Sequence, residues 1–309
     1  MNPPSIVQPE SLFESQAIAP APERRSFHWS VRRELWENRF LYIGPLIVAA
    51  VVLFATLIGT LGLPKKMRAL ATLEPARQHA SVAGALDMAP APIMLAALLV
   101  GVFYCLDALY GERRDRSILF WKSLPVSDRT TVLSKAIIPL AVLPLIAWAL
   151  SVIVQIILFF ASNAVLVVNG ISPARLWTEF RFFQGLLIMI YGLSVHALWF
   201  APIYAWLLLV SAWAKRAPFL WAVLPLLAIS AVERIIFDTW TFMTMLQNRV
   251  GGAMKVAFSF TPDDRGNIDR LSQLTPGRFL TTPGLWIGLL FAAMFLAAAV
   301  RLRRNRAPI

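Results

Sequence analysis

The run LYIGPLIVAAVVLFATLIGTLGL (Leu41–Leu63) carries no charged side chain, and it is the first of six predominantly apolar runs in the chain. About 20 apolar residues suffice to cross a ~30 Å hydrocarbon layer as a helix, at ~1.5 Å of rise per residue. Water is absent from that layer, so each crossing backbone must satisfy its own hydrogen bonds, which a helix does. The fold class predicted is an all-α polytopic membrane protein with six transmembrane helices, near residues 41–63, 92–110, 136–161, 182–212, 219–237 and 284–302. The third and fourth lie within apolar stretches of 33 and 32 residues (Ala136–Val168 and Phe182–Trp213). Both exceed one crossing and call for tilt or projection from the bilayer. Composition agrees: 58% of the residues are apolar and 15% charged, against about 25% charged in soluble domains.

Six crossings put both chain ends on one side, and the basic residues choose the side. With the N-terminus inside, the inner segments hold 17 Lys and Arg residues and the much longer outer segments hold 11. Basic side chains in short loops beside span ends set orientation, so N-in, C-in is expected. The formal charge of +12 is then read as topology and contact with lipid headgroups, with no nucleic-acid partner. The single cysteine, Cys105, allows neither an intrachain disulfide nor a cysteine metal cluster.

Residues 1–25 are polar and bear Pro, Ser and Glu, without the basic-then-apolar order of a signal peptide; a disordered cytosolic tail is expected. The stretch FHWSVRRELWENRFLY (Phe27–Tyr42) follows. At helical spacing Phe27, Val31 and Leu35 make one row and Trp29, Trp36 and Phe40 another, with Arg32, Arg33, Glu37 and Arg39 between or opposite. Trp29, Arg32, Arg33 and Trp36 suit a helix lying in the headgroup zone, although a plain cytosolic extension of the first span fits too. The connection 238–283 is the longest on the outer side, and its first half is apolar enough for short re-entrant helices packed against protein. An ordinary extracytoplasmic loop is the equal alternative.

Catalytic motifs are scarce. The three histidines lack zinc-protease spacing, no Gly-Lys pair exists from which a phosphate loop could be built, and no catalytic or metal residue is assigned. Ser194 and His196 are two apart and point to different faces of a helix. Ionisable groups in or beside the spans are Asp107, His196, Glu233 and Arg234, and such groups are costly and often functional in a membrane. Asp107 lies one helical turn from Arg113 and Arg114, whereas the adjacent Glu233 and Arg234 need separate partners.

The segment 112–135 stands out between two apolar runs. Its beginning, GERRDRSILFWKSLP, can carry the second helix into the cytosol and then present Ile118, Leu119, Phe120 and Trp121. Pro125 breaks the helix because it has no amide hydrogen. Ser127 or Asp128 can cap the next helix, which runs into the third span. Aromatic side chains beside arginines make good protein anchors; the same residues also satisfy the positive-inside rule with Trp121 at the lipid interface.

The pattern E-R-R-x-x-S-x-x-x-x-x-S-L-P-V-S-x-x-x-x-V-L-S-K is carried by Glu112, Arg113, Arg114, Ser117, Ser123, Leu124, Pro125, Val126, Ser127, Val132, Leu133, Ser134 and Lys135. With the amphipathic segment, six spans and the large connection before the last, it resembles the type-2 permeases of ATP-binding-cassette transporters, mainly exporters. The likeness in organisation covers residues 27–305, and its specific part about 25 residues. It implies a permease of a bacterial inner (plasma) membrane, with ATP and Mg on a separate cassette ATPase subunit and no cofactor on this chain. Two permease copies and two ATPase chains would assemble. The loop would be the coupling element, with Glu112, Arg113, Arg114, Arg116, Phe120, Trp121, Lys122, Leu124 and Pro125 as its ATPase-coupling residues. A polytopic scaffold, or a lipid-processing enzyme without its own ATPase, are the alternatives.

Overall fold

A computed structural model of the chain describes residues 23–70, 89–123, 126–174, 177, 182–260, 268 and 270–305. Among these there is no strand, only one isolated bridge between Phe258 and Leu274. Six helices are long and apolar enough to cross a membrane: Phe40–Thr60, Pro90–Arg114, Asp128–Val168, Phe183–Trp213, Pro218–Phe237 and Pro283–Asn305. The protein is therefore a multi-pass α-helical membrane protein. Residues 1–22 of the expected tail, most of the connection after the first span, and Leu124 and Pro125 lie outside the described residues.

The distribution of side chains is the reverse of a soluble bundle. Phe54, Phe103, Phe160 and Ile235 point outward, while Ser151, Ser162, Ser211 and Ser230 are buried between helices. Hydrocarbon makes the outward positions favourable for large apolar groups. Small hydroxyls permit close helix approach and can return their hydrogen to their own backbone. Ser151 Oγ, for example, donates to the Ala147 carbonyl at 2.7 Å.

The second span packs against the first and third, and the fourth lies along the sixth. Leu41, Ile93, Tyr104, Cys105, Leu143, Leu158 and Leu208 are fully enclosed where the first four spans meet. Gly101 lets Pro139 and Tyr204 come close: a Cβ there would stand 3.2 Å from Pro139 and 3.3 Å from Tyr204. The third span is longer than its apolar stretch because the helix Asp128–Ile137 flows into it through a π turn, Ile138–Val142. Pro139 in that turn has no N–H to give the regular ladder, and an extra residue in the turn absorbs the defect.

Both described ends of the chain sit at one end of the bundle, beside the loop 112–127. The helix Glu23–Glu37 packs on the start of the third span there, as does the C-terminal part of the sixth. At the opposite end, the connection before the sixth span includes the helices Thr241–Gly251, Ala253–Ala257 and Pro276–Thr281. Ala253, Ala257, Phe258 and Phe279 are buried against Ile188, Val195 and Trp199 of the fourth span and Leu285 of the sixth. Of its apolar half, Ala253, Ala257 and Phe258 are thus packed against protein, whereas the helix Thr241–Gly251 buries no side chain.

Candidate functional site

The segment between the second and third spans is a helix, a break and a helix. The second span loosens at Leu109, whose amide and that of Tyr110 both donate to Ser211 Oγ of the fourth span, at 3.0 and 2.9 Å. It resumes over Tyr110–Arg114 and turns at Asp115 and Arg116. Arg116 takes a left-handed φ of 59° there, which is strained for a residue with a Cβ. The loop helix Ser117–Ser123 follows. Ser127 caps the next helix: its Oγ accepts the Thr130 amide at 3.1 Å, which decides between the two expected caps.

This loop has two faces. Its outward face carries Leu119 and Phe120, each 60% exposed, with Arg114, Arg116 and Lys122 also exposed. Behind them Ile118 is buried. Trp121 lies edge-on to Phe120, with ring centroids 4.9 Å apart. It is half-buried beneath the Arg33 guanidinium, 4.0 Å from the ring centroid.

The inward face is ionic. Lys135 Nζ donates to Glu34 Oε1 at 2.8 Å and stands 3.1 Å from Glu112 Oε1. Arg303 Nη2 reaches Glu112 Oε2 at 3.0 Å, and its Nη1 pairs with Asp128. The Tyr104 hydroxyl donates to Glu34 Oε2 at 2.7 Å, and Arg33 Nη2 to Glu34 Oε1 at 2.8 Å. Glu34, Lys135 and Arg303 are almost wholly buried. Glu34, Glu112 and Asp128 thus meet Lys135, Arg33 and Arg303, so these three pairs of charges balance locally, as buried ions require, and the exposed Glu37 adds a fourth carboxylate 3.7 Å from Arg33. Burial alone would raise the Glu34 carboxyl, but the Lys135 ammonium and Arg33 guanidinium hold it below the ordinary range. The cluster ties the helix Glu23–Glu37, the end of the second span, the start of the third and the end of the sixth into one block.

Several residues expected at a partner surface are turned inward. Glu112 belongs to the ionic cluster, and Arg113 is buried with its Nη2 donating to the Ser211 and Ala214 carbonyls, at 3.1 Å to the former. Both have partners inside the chain, and the outward face of the loop is left to Leu119, Phe120 and the surrounding basic side chains. Arg114 pairs with Asp115 at 2.9 Å and lies 3.8 Å from Asp107, seven residues earlier and so two helical turns away, not the one turn expected. Lys122 Nζ donates to the Arg304 carbonyl at 3.3 Å, a second tie to the sixth span.

On the helix Glu23–Glu37 the row of Val31 and Leu35 packs inward. Trp29 and Trp36 face out with Arg32 between them, 5.3 and 4.5 Å from their ring centroids. The remaining polar residues are accounted for locally. His196 stacks on Phe200 at 5.0 Å, and its Nε2 lies 3.3 Å from the Tyr204 hydroxyl. Glu233 caps the helix Thr241–Gly251 by accepting the amides of Thr241 and Phe242 at 2.9 and 2.8 Å. Arg234 pairs with Asp238 at 2.6 Å, so these neighbours do have separate partners.

Sequence reasoning missed Glu34, Asp128 and Arg303 as members of a site. Glu34 gave a signal: it falls beside the Val31 and Leu35 row, and a carboxylate on the inward face of a helix needs a buried cation. Arg303 gave none, because its partners lie 191 and 175 residues away in sequence.

Comparison of the chain with family models, with curated proteins and with solved structures finds no match in any of the three.

Proposed function

We propose that the chain is the permease subunit of an ATP-driven exporter in a bacterial inner membrane, oriented N-in and C-in. Two permease copies would work with two separate cassette ATPase chains that bind ATP and Mg. The observation that carries this reading is the loop helix Ser117–Ser123. It offers an exposed apolar pair, Leu119 and Phe120, ringed by basic side chains and braced from behind by the buried ionic cluster. An exposed aromatic anchor on a rigid mount is what a partner needs to transmit force. A push on this helix reaches the second and third spans through Glu112 and Lys135, and the sixth through Arg303. The fourth span follows through Arg113.

The test is co-expression with a cassette ATPase encoded beside this chain, comparing wild type with Leu119→Ser/Phe120→Ser. These side chains point outward, so the variant is expected to stay folded while losing co-purification and at least tenfold of the permease-stimulated ATP turnover. An ATPase complex and turnover unchanged by the double substitution would refute the coupling role. Binding of the ATPase without any effect on its turnover would favour the scaffold reading.

A further inference from the structure

At the end of the bundle remote from the loop, one half-buried cation has two enclosed nitrogens and no counter-ion among the described residues. Arg249 lies on the helix Thr241–Gly251, with its guanidinium over the Trp199 ring, 4.5 Å from the centroid. Trp199 is itself buried, and its Nε1–H donates to the Arg249 carbonyl at 2.7 Å. Ring and arginine therefore fix each other's position. Nη1 donates to the Gly284 carbonyl at 2.9 Å along an edge open to solvent. Nε and Nη2 face inward with no acceptor. The guanidinium rests in the groove left by Gly288 of the sixth span, where any Cβ would overlap it.

No carboxylate among the described residues pairs with Arg249, and burial pushes its pKa down. Its enclosed Nε and Nη2 lack an acceptor, whereas enclosed donors ordinarily have one. The open Nη1 edge of the guanidinium is suited to a charge-assisted hydrogen bond with a carboxylate or phosphate. Its surroundings suit the rest of an amphiphile. Trp240, Thr241, Thr244, Met245 and Asn248 line a shallow, open groove of about 540 Å³ that runs from the start of the same helix to the residue before Arg249.

We propose that Arg249 is the docking point for the anionic group of an amphiphile, a carboxylate or phosphate, whose apolar part lies against the groove of Trp240 and Met245. An anion at the open edge takes the second hydrogen of Nη1, beside the Gly284 carbonyl. The occupant is either cargo or a resident anionic lipid. Its role as cargo rests on the exporter reading, whereas the binding itself does not.

The experiment uses the full chain, without any ATPase, in phosphatidylcholine nanodiscs. Dodecyl phosphate is titrated by native mass spectrometry, with uncharged dodecyl maltoside as reference. Wild type is expected to bind dodecyl phosphate saturably and at least tenfold more tightly than Arg249→Gln. Arg249→Lys should retain part of the affinity, and Arg278→Gln, at an exposed position on the helix Pro276–Thr281 outside the groove, all of it. Displacement by inorganic phosphate would assign a free anion, and displacement by phosphatidylglycerol a lipid headgroup. Should Arg249→Gln fail to fold, protection of wild-type Arg249 from 2,3-butanedione by dodecyl phosphate reads the same contact. Equal affinity for dodecyl phosphate and dodecyl maltoside, equal affinity in Arg249→Gln, or absence of protection would overturn the proposal. Because no ATPase is present, these outcomes are independent of whether the coupling reading holds.

Discussion

Two arginines meet the sixth span at its two ends, and they are treated in opposite ways. Arg303, near the loop, is buried between Glu112 and Asp128. Arg249, at the far end, is held against Gly284 and Gly288 with no carboxylate beside it. The first belongs to a charge-paired block that joins four helical segments; the second lies beside an open groove. The difference teaches where to look for rigidity and where for binding. Paired buried charges fix geometry, and a half-buried one with no carboxylate beside it offers its open edge to an anion from outside the chain.

The sharpest way to break this contrast is at Lys135. Lys135→Met leaves Glu34 and Glu112 buried with too little positive charge, and a buried pair broken from one side typically costs about 3–5 kcal/mol. A marked fall in the thermal unfolding midpoint of the purified chain is expected, with Glu34→Gln/Lys135→Met recovering much of it. Recovery absent in the double variant would show that the pair does not act as a unit.

Next in size is the direct comparison of the two arginines. Arg303→Gln should destabilise by about 3 kcal/mol, because two carboxylates lose their cation. Arg249→Gln should change stability by less than about 1 kcal/mol, since the lost cation–π contact, worth about 0.5–2 kcal/mol, is offset by removal of enclosed donors that lack an acceptor. Equal losses in paired denaturation curves would erase the distinction.

A pH titration sharpens the first half of the comparison. The Glu34 carboxyl is held below its ordinary value of 4.5 in the folded chain. Its contribution is therefore complete well above that pH and is lost as the pH falls through the depressed folded-state value. Stability of wild type should drop between about pH 4.5 and the acid limit, and Glu34→Gln should show a shallower decline there. The smallest effect belongs to Phe120→Ser, at an exposed position outside the ionic block. It should shift stability by no more than about 0.5 kcal/mol while abolishing most of the ATPase coupling.

The six crossings could be read from the apolar runs because burial in hydrocarbon is a property of each segment by itself, set by length and composition. The break in the loop and its cap were equally local. A Ser two residues after Pro125 and three before Thr130 has the chemistry to start a helix wherever the chain goes. The candidate site was legible only in part. The loop could be located and its apolar side chains named, but the sequence does not reveal that Phe120 faces out while Glu112 and Arg113 face in. Nor does it reveal that Trp121 lies beneath Arg33.

What the sequence by itself determined, then, is a multi-pass helical protein with a charged, structured connection after its second span. The tertiary structure alone decided which charges neutralise each other. Hydropathy acts within a segment, but ion pairing depends on which helix ends converge, and those ends are as distant along the chain as Glu34 and Lys135 or Glu112 and Arg303. For the same reason only the packing of the far connection against the fourth and sixth spans could reveal that Arg249 has no such partner.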